Sequence, residues 1–113
     1  MLLKDIAQLQ DCKQLTTADL ERKATGVYAS DMLSAAMARA EPDWLWITIQ
    51  GHKNILGVAS IKGLAGILLA EGVQPDLETL AVAEREHIAI FSSPETAFEL
   101  SGRIYKLLNN NGD

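Results

Sequence analysis

Short apolar runs separated by helix-period segments constrain this chain more than any other feature. Trp44 to Ile49, Gly66 to Ala70 and Ile88 to Phe91 are near-continuously apolar, the pattern of strands covered on both faces rather than of a half-exposed sheet. The segments around them have a different period. Asp31 to Ala40 carries Leu33, Ala36, Met37 and Ala40 at the spacing of one helical face, and Leu77, Leu80 and Ala81 mark another helix after Pro75 and Asp76. In the last helix, Pro94 to Leu108, the residues Ala97, Leu100, Ile104, Leu107 and Leu108 share one side, with Ser92 or Ser93 as the cap and Pro94 in the first turn. A short amphipathic helix is expected over Leu2 to Leu9, and two short strands between Cys12 and Ala29. Strands and helices that alternate with such short connections imply βαβ crossovers. The expected fold is therefore α/β: three layers, a mostly parallel sheet of about four to five strands, and helices on both faces.

The chain has 113 residues, the size of one domain with one core. We expect a single α/β domain over 1–108, followed by a flexible polar tail over 109–113. Fifteen acids against ten bases leave a net charge of −5 with the bases scattered, which argues against a nucleic-acid partner because a duplex binder needs clustered cations. The most apolar region, Ile55 to Ala70, is interrupted by Lys62 and is too short to span a bilayer, and the charged start at Lys4 and Asp5 does not read as a secretory signal. A cytoplasmic protein without a membrane partner is expected. Cys12 is the sole cysteine, so neither an internal disulfide nor a thiolate metal cluster can form.

In open parallel sheets, ligands bind beyond the carboxyl ends of the strands, where helix N-termini present unpaired N–H groups. Here those ends are Ser30-Asp31, Gln50 to Asn54, Glu71-Gly72 and Ser92-Ser93. The candidate ligand-binding residues are Asp31, Ser34, Thr48, Gln50, Gly51, His52, Asn54 and Gly72, the glycines because they allow close backbone approach. His52, beside Lys53, would suit a phosphate contact or a pH-sensitive role. The same residue types are also the ordinary caps and turns of βα loops. His87 follows a helix terminus and reads as structural.

The sequence contains no phosphate loop, dinucleotide fingerprint, nucleophile elbow or zinc motif. No catalytic residue, metal ligand or cofactor is assigned. Of enzymatic readings, only a weak one with His52 and Asp31 is formulable, and Asp31 and Asp76 would pair only if the fold brought them together. Asn54 to Ile61 places Ile55, Leu56, Val58 and Ile61 on more than one face of a short helix. Such a helix is either packed between sheet and neighbouring helices or meets a second copy of the chain, in which case these four residues form a homodimer interface.

Gly26 to Ser34, Trp46 to Asn54 and Gly57 to Ser60, in that order, resemble the stand-alone DRTGG-domain proteins of bacteria and archaea, and the resemblance extends from about Lys23 to Leu108. Related domains occur at the N-terminus of HPr kinase/phosphorylase, in some phosphotransacetylases and between CBS domains in certain pyrophosphatases. The resemblance implies a parallel-leaning α/β domain, often regulatory and often dimer-forming. The chain departs from the name-giving motif, with Gln50-Gly51-His52 in place of Gly-Asp-Arg and Ala70-Glu71-Gly72 in place of Thr-Gly-Gly. The expectation is a non-catalytic regulatory or sensor domain that binds a small metabolite or nucleotide at the strand ends. Its partner would be its dimer mate or a larger enzyme; the alternative is a pure interaction and dimerisation module with no small ligand.

Overall fold

The three apolar runs lie side by side in the computed structural model, which describes residues 1–110. They form β3 (Trp44–Thr48), β4 (Gly66–Leu69) and β5 (Ile90–Ser92), paired in parallel with Leu45 opposite Gly66 and Ile67 opposite Ile90. β2 (Gly26–Ala29) extends the sheet in parallel beside β3, and β1 (Lys13–Gln14) closes the other edge antiparallel to β5. The resulting order is β1-β5-β4-β3-β2, so each parallel connection moves the chain one strand along.

Side chains of successive strand residues point to opposite faces, and both faces are dry. Trp46, Ile67, Leu69 and Ile90 pack under α2 (Leu33–Arg39), α3 (Asn54–Lys62) and α4 (Leu77–Arg85), which contribute Ala36, Ala40, Ile55, Leu56, Ala59 and Ala83. Leu45, Ile47, Leu68 and Phe91 pack on the other side under α1 (Leu3–Ala7) and α5 (Ala97–Asn110) through Leu3, Ile6, Leu100 and Ile104. The three-layer, mostly parallel arrangement is the one the sequence implies. Two glycines let it close: a Cβ on Gly26 would stand 2.5 Å from the Trp44 indole, and one on Gly66 would stand 3.3 Å from the Ala89 carbonyl oxygen.

Differences at the element ends have local causes. β5 starts at Ile90 rather than Ile88 because the Ile88 N–H still bonds back to the Ala83 carbonyl at 2.9 Å, with His87 in the left-handed region at φ 60°, the geometry of a Schellman C-terminus. The last helix starts at Ala97, not Pro94. Its cap is Thr96, whose hydroxyl accepts from the Glu99 N–H at 3.2 Å while the Glu99 carboxylate accepts from the Thr96 N–H at 3.0 Å, a capping box. The Ser93 hydroxyl instead accepts from the Glu95 N–H. α5 also runs on through Asn109 and Asn110, where a polar tail is expected from sequence; residues 111–113 lie outside the described residues. In α3, Ile55, Leu56 and Val58 are buried within the chain's own core, and Ile61 alone of the four is open, at 74% exposure.

β1 has only two residues, and Thr16 prolongs its pairing by side-chain chemistry. The buried Thr16 hydroxyl donates to the Ile88 carbonyl at 2.7 Å and accepts from the Ile90 N–H at 2.9 Å. Thr16→Val keeps the shape and strands both backbone groups, so it is expected to lower the unfolding free energy by about 2 kcal/mol, measured by urea denaturation.

Candidate functional site

The strand carboxyl ends form a rim of four loops, and the residues singled out from sequence divide within it. Asp31, Thr48 and Gln50 are engaged with one another. Asp31 Oδ1 accepts from Thr48 Oγ1 at 3.2 Å and from the Ile49 N–H at 2.9 Å, Gln50 Nε2 donates to the Asp31 carbonyl at 3.0 Å, and the Gln50 N–H donates to Thr48 Oγ1. This cluster staples the β2–α2 loop to the end of β3. Gly51 packs beneath the next loop, where a Cβ would lie 3.2 Å from Val73. His52 faces Asp76 rather than Asp31, with Nδ1 3.4 Å from Oδ2, and Lys53 pairs with Glu78 at 2.8 Å. Ser34 and Asn54 lie exposed at the starts of α2 and α3. Gln50, Gly51 and His52, with Gln74 and Asp76, line a shallow groove of about 280 Å³.

A larger cavity, about 430 Å³, opens on the other side of Gln74 and is lined by Asp11, Cys12, Lys13, Gly72, Ser92, Ser93 and Pro94 as well as Gln74 itself. Its position follows from the topology. The loops after β2, β3 and β4 all lead to helices on one face, whereas the loop after β5 leads to α5 on the opposite face. Only between β4 and β5 do neighbouring loops part, and that topological switch is where open α/β sheets make a crevice. Of the residues singled out from sequence, Gly72 alone lines it. The serines stand in the sequence as a strand end, so Ser92 and Ser93 were within reach. Nothing in the sequence shows that β1 runs antiparallel to β5, which is what brings Asp11, Cys12 and Lys13 to the same end.

Backbone bonds tie the β4 and β5 loops to each other beside the cavity. The Gly72 N–H donates to the Ser93 carbonyl at 2.9 Å and the Glu71 N–H to the Glu95 carbonyl at 2.8 Å, with Glu71 and Gly72 both at positive φ, 59° and 71°. These two donors are therefore satisfied within the chain. The lining residues are of mixed polarity: Lys13, Asp11 and Gln74, with Ser92 and Ser93, the Ser93 hydroxyl being engaged with the Glu95 N–H. The half-buried Cys12 thiol is pushed up to about 11 by desolvation, so it is protonated at neutral pH and is a poor nucleophile. Among the described residues no group of three or more His, Cys, Asp or Glu is arranged to hold a metal ion, and no helix is long and apolar enough to cross a membrane.

No family model matches the chain, and no curated protein matches it. A solved structure shares the fold: the CBS and DRTGG domains of the regulatory region of Clostridium perfringens pyrophosphatase, complexed with the activator diadenosine tetraphosphate, with a TM-score of 0.67 and 13% identity over 88% of this chain. The chain spans 44% of that structure's chain. The resemblance read from sequence and the fold match thus agree on the architecture, and at this identity the match shows the fold.

Three exposed carboxylates at helix ends around the core sit below their ordinary range, each because of a threonine. Asp76 is lowered by Thr79, whose N–H donates to it at 2.8 Å; Glu84 by the Thr17 N–H at 3.0 Å; and Glu99 by the Thr96 N–H and hydroxyl. Carboxylates lowered by folding leave the unfolded chain binding more protons in the acid range. Their contribution is complete above the ordinary carboxylate range and is lost as pH falls through it. Thermal unfolding is expected to show the midpoint dropping from neutral pH toward acid, and the Asp76→Asn, Glu84→Gln, Glu99→Gln triple variant, which retains acceptors for the same N–H groups, is expected to show a flatter profile.

Proposed function

We propose that the chain is a non-catalytic regulatory domain that binds a nucleotide or similar small metabolite in the cavity between β4 and β5 and passes that state to a partner, either a second copy or a larger enzyme in the cytoplasm. The observation that carries this reading is the cavity itself: its volume falls in the range of small-molecule sites, it lies at the switch in loop direction, and its lining offers hydrogen-bonding groups from both loops. The fold match adds support, because that regulatory region is complexed with a dinucleotide activator.

The surrounding bonds give such a ligand a route outward. A molecule seated against Gly72 and Ser93 touches both diverging loops at once. Two residues beyond Ser93, the Glu95 carboxylate takes the Arg103 Nε at 2.9 Å with Glu95 largely covered, so displacement of the β5–α5 loop bears directly on α5. A coupling of about 1–3 kcal/mol between ligand and partner suffices for regulation. The groove at Gln50, Gly51 and His52 is shallower and lies across the Gln74 wall, which makes it an accessory surface for an extended ligand.

Thermal shift with AMP, ATP and diadenosine tetraphosphate at millimolar concentration tests the proposal. Ligand at about 100 times its Kd stabilises the folded state by about 2.7 kcal/mol, a rise of roughly ten degrees for a domain of this size. At least one of the three is expected to give a rise of this order, and Lys13→Glu and Gln74→Ala, both at exposed positions, are expected to abolish it. No rise with any of them would overturn the nucleotide assignment; a rise unchanged in both variants would overturn the cavity as its site.

A further inference from the structure

We propose that the outer face of α5 is a two-fold interface at which the helix packs antiparallel against α5 of a second copy, crossing at Gly102. This goes beyond the ligand reading and requires no ligand. The face holds two of the largest exposed apolar side chains of the described residues, Phe98 at 87% and Tyr105 at 70% exposure. Gly102 sits between them in the middle of the helix, and a Cβ there would meet nothing within 4 Å. A glycine inside an exposed helix weakens it relative to alanine, and nothing within the chain requires this one. A groove of about 300 Å³ lies over it, lined by Phe98, Glu99, Gly102, Arg103 and Lys106.

The arrangement around Gly102 is self-complementary in a way that selects a second copy. On a helix with 100° between residues, Phe98 and Tyr105 project on one flank of Gly102 and Glu99 and Lys106 on the other, each pair placed about 4.5–6 Å before and after it along the axis. A two-fold axis perpendicular to the helix reverses its direction and keeps each flank facing its own kind. Phe98 then meets Tyr105 of the other copy, and Glu99 meets Lys106 of the other copy, each within about 1.5 Å of axial register. The two aromatic contacts and the two opposite-charge contacts form together or not at all, and the glycine at the crossing lets the backbones approach. A partner of other composition would have to reproduce this pattern; a second α5 already carries it.

Light scattering and analytical ultracentrifugation across the micromolar range are expected to give twice the 12.3 kDa of one chain. Phe98→Ala and Gly102→Leu are each expected to weaken association about ten-fold or more. Lys106→Glu sets like charges across the axis and weakens it as well, while Glu99→Gln added to Lys106→Glu restores part of the loss, since glutamine still accepts the Thr96 N–H and ends the repulsion. Gly102→Ala separates the interface from simple exposure: it is expected to strengthen the isolated helix by circular dichroism yet loosen the dimer. A single-chain mass throughout the range, or a dimer whose affinity none of these substitutions moves, would overturn the proposal.

Discussion

Everything in this structure depends on the dryness of β4. All four of its residues are buried, and a strand wet on neither side must have helices above and below it. The three βα connections place α2, α3 and α4 on a single face, because each moves the chain one strand along in the same direction. The second face has to be covered by what remains, the N-terminal α1 and the C-terminal α5. The chain is thereby obliged to change face after β5, and that one change opens the cavity between β4 and β5. The candidate site is thus a consequence of covering the sheet rather than an addition to it.

The same reasoning explains what was legible in the sequence. The long apolar runs and their helical neighbours are visible because burial on both faces imposes composition, so β3, β4, β5 and the helices around them follow from period and length. The site was less visible because a crevice depends on strand order and on which face each loop approaches, and neither has a local signature. Asp31, Gln50 and His52 carry the right chemistry at strand ends, but their loops lead to one face, where polar groups close onto each other. Lys13, by contrast, belongs to a two-residue strand with no apolar pattern, and its place in the cavity is fixed by Thr16 and Leu15 bonding to Ile88 and Ile90 some seventy residues later in the chain. The capping box at Thr96 and Glu99 was written plainly in the sequence and was masked by Pro94, whose own preference for a first turn suggests an earlier start.

Backbone strain is distributed in a way that fits this division. Asp43 and His87, both at positive φ, lie at the amino ends of β3 and β5, away from the cavity, and their turns are satisfied by local bonds such as the Asp43 N–H to Gly63 and the Ile88 N–H to Ala83. Asp11 and Glu71 carry the same conformation beside the cavity. A non-glycine residue in that region costs about 1–2 kcal/mol, and it persists because the surrounding bonds over-determine it. For Glu71 the compensating bond is the one to Glu95, which is to say that strain in one loop is balanced by attachment to the other.

That attachment gives α5 its particular standing. At its start the helix receives the β5–α5 loop, held to β4's loop and fastened to Arg103 through Glu95. Along its inner side Leu100 and Ile104 are locked in the core. Its outer side carries Phe98 and Tyr105, aromatic groups that the domain's own core does not cover. A helix of 14 residues so embedded moves as one body, because packed cores shift between discrete arrangements rather than bending continuously. The β5–α5 loop, which lines the cavity through Ser93 and Pro94, leads directly into α5 and is tied to it by the Glu95–Arg103 pair, so the cavity and the exposed face are joined through that one loop.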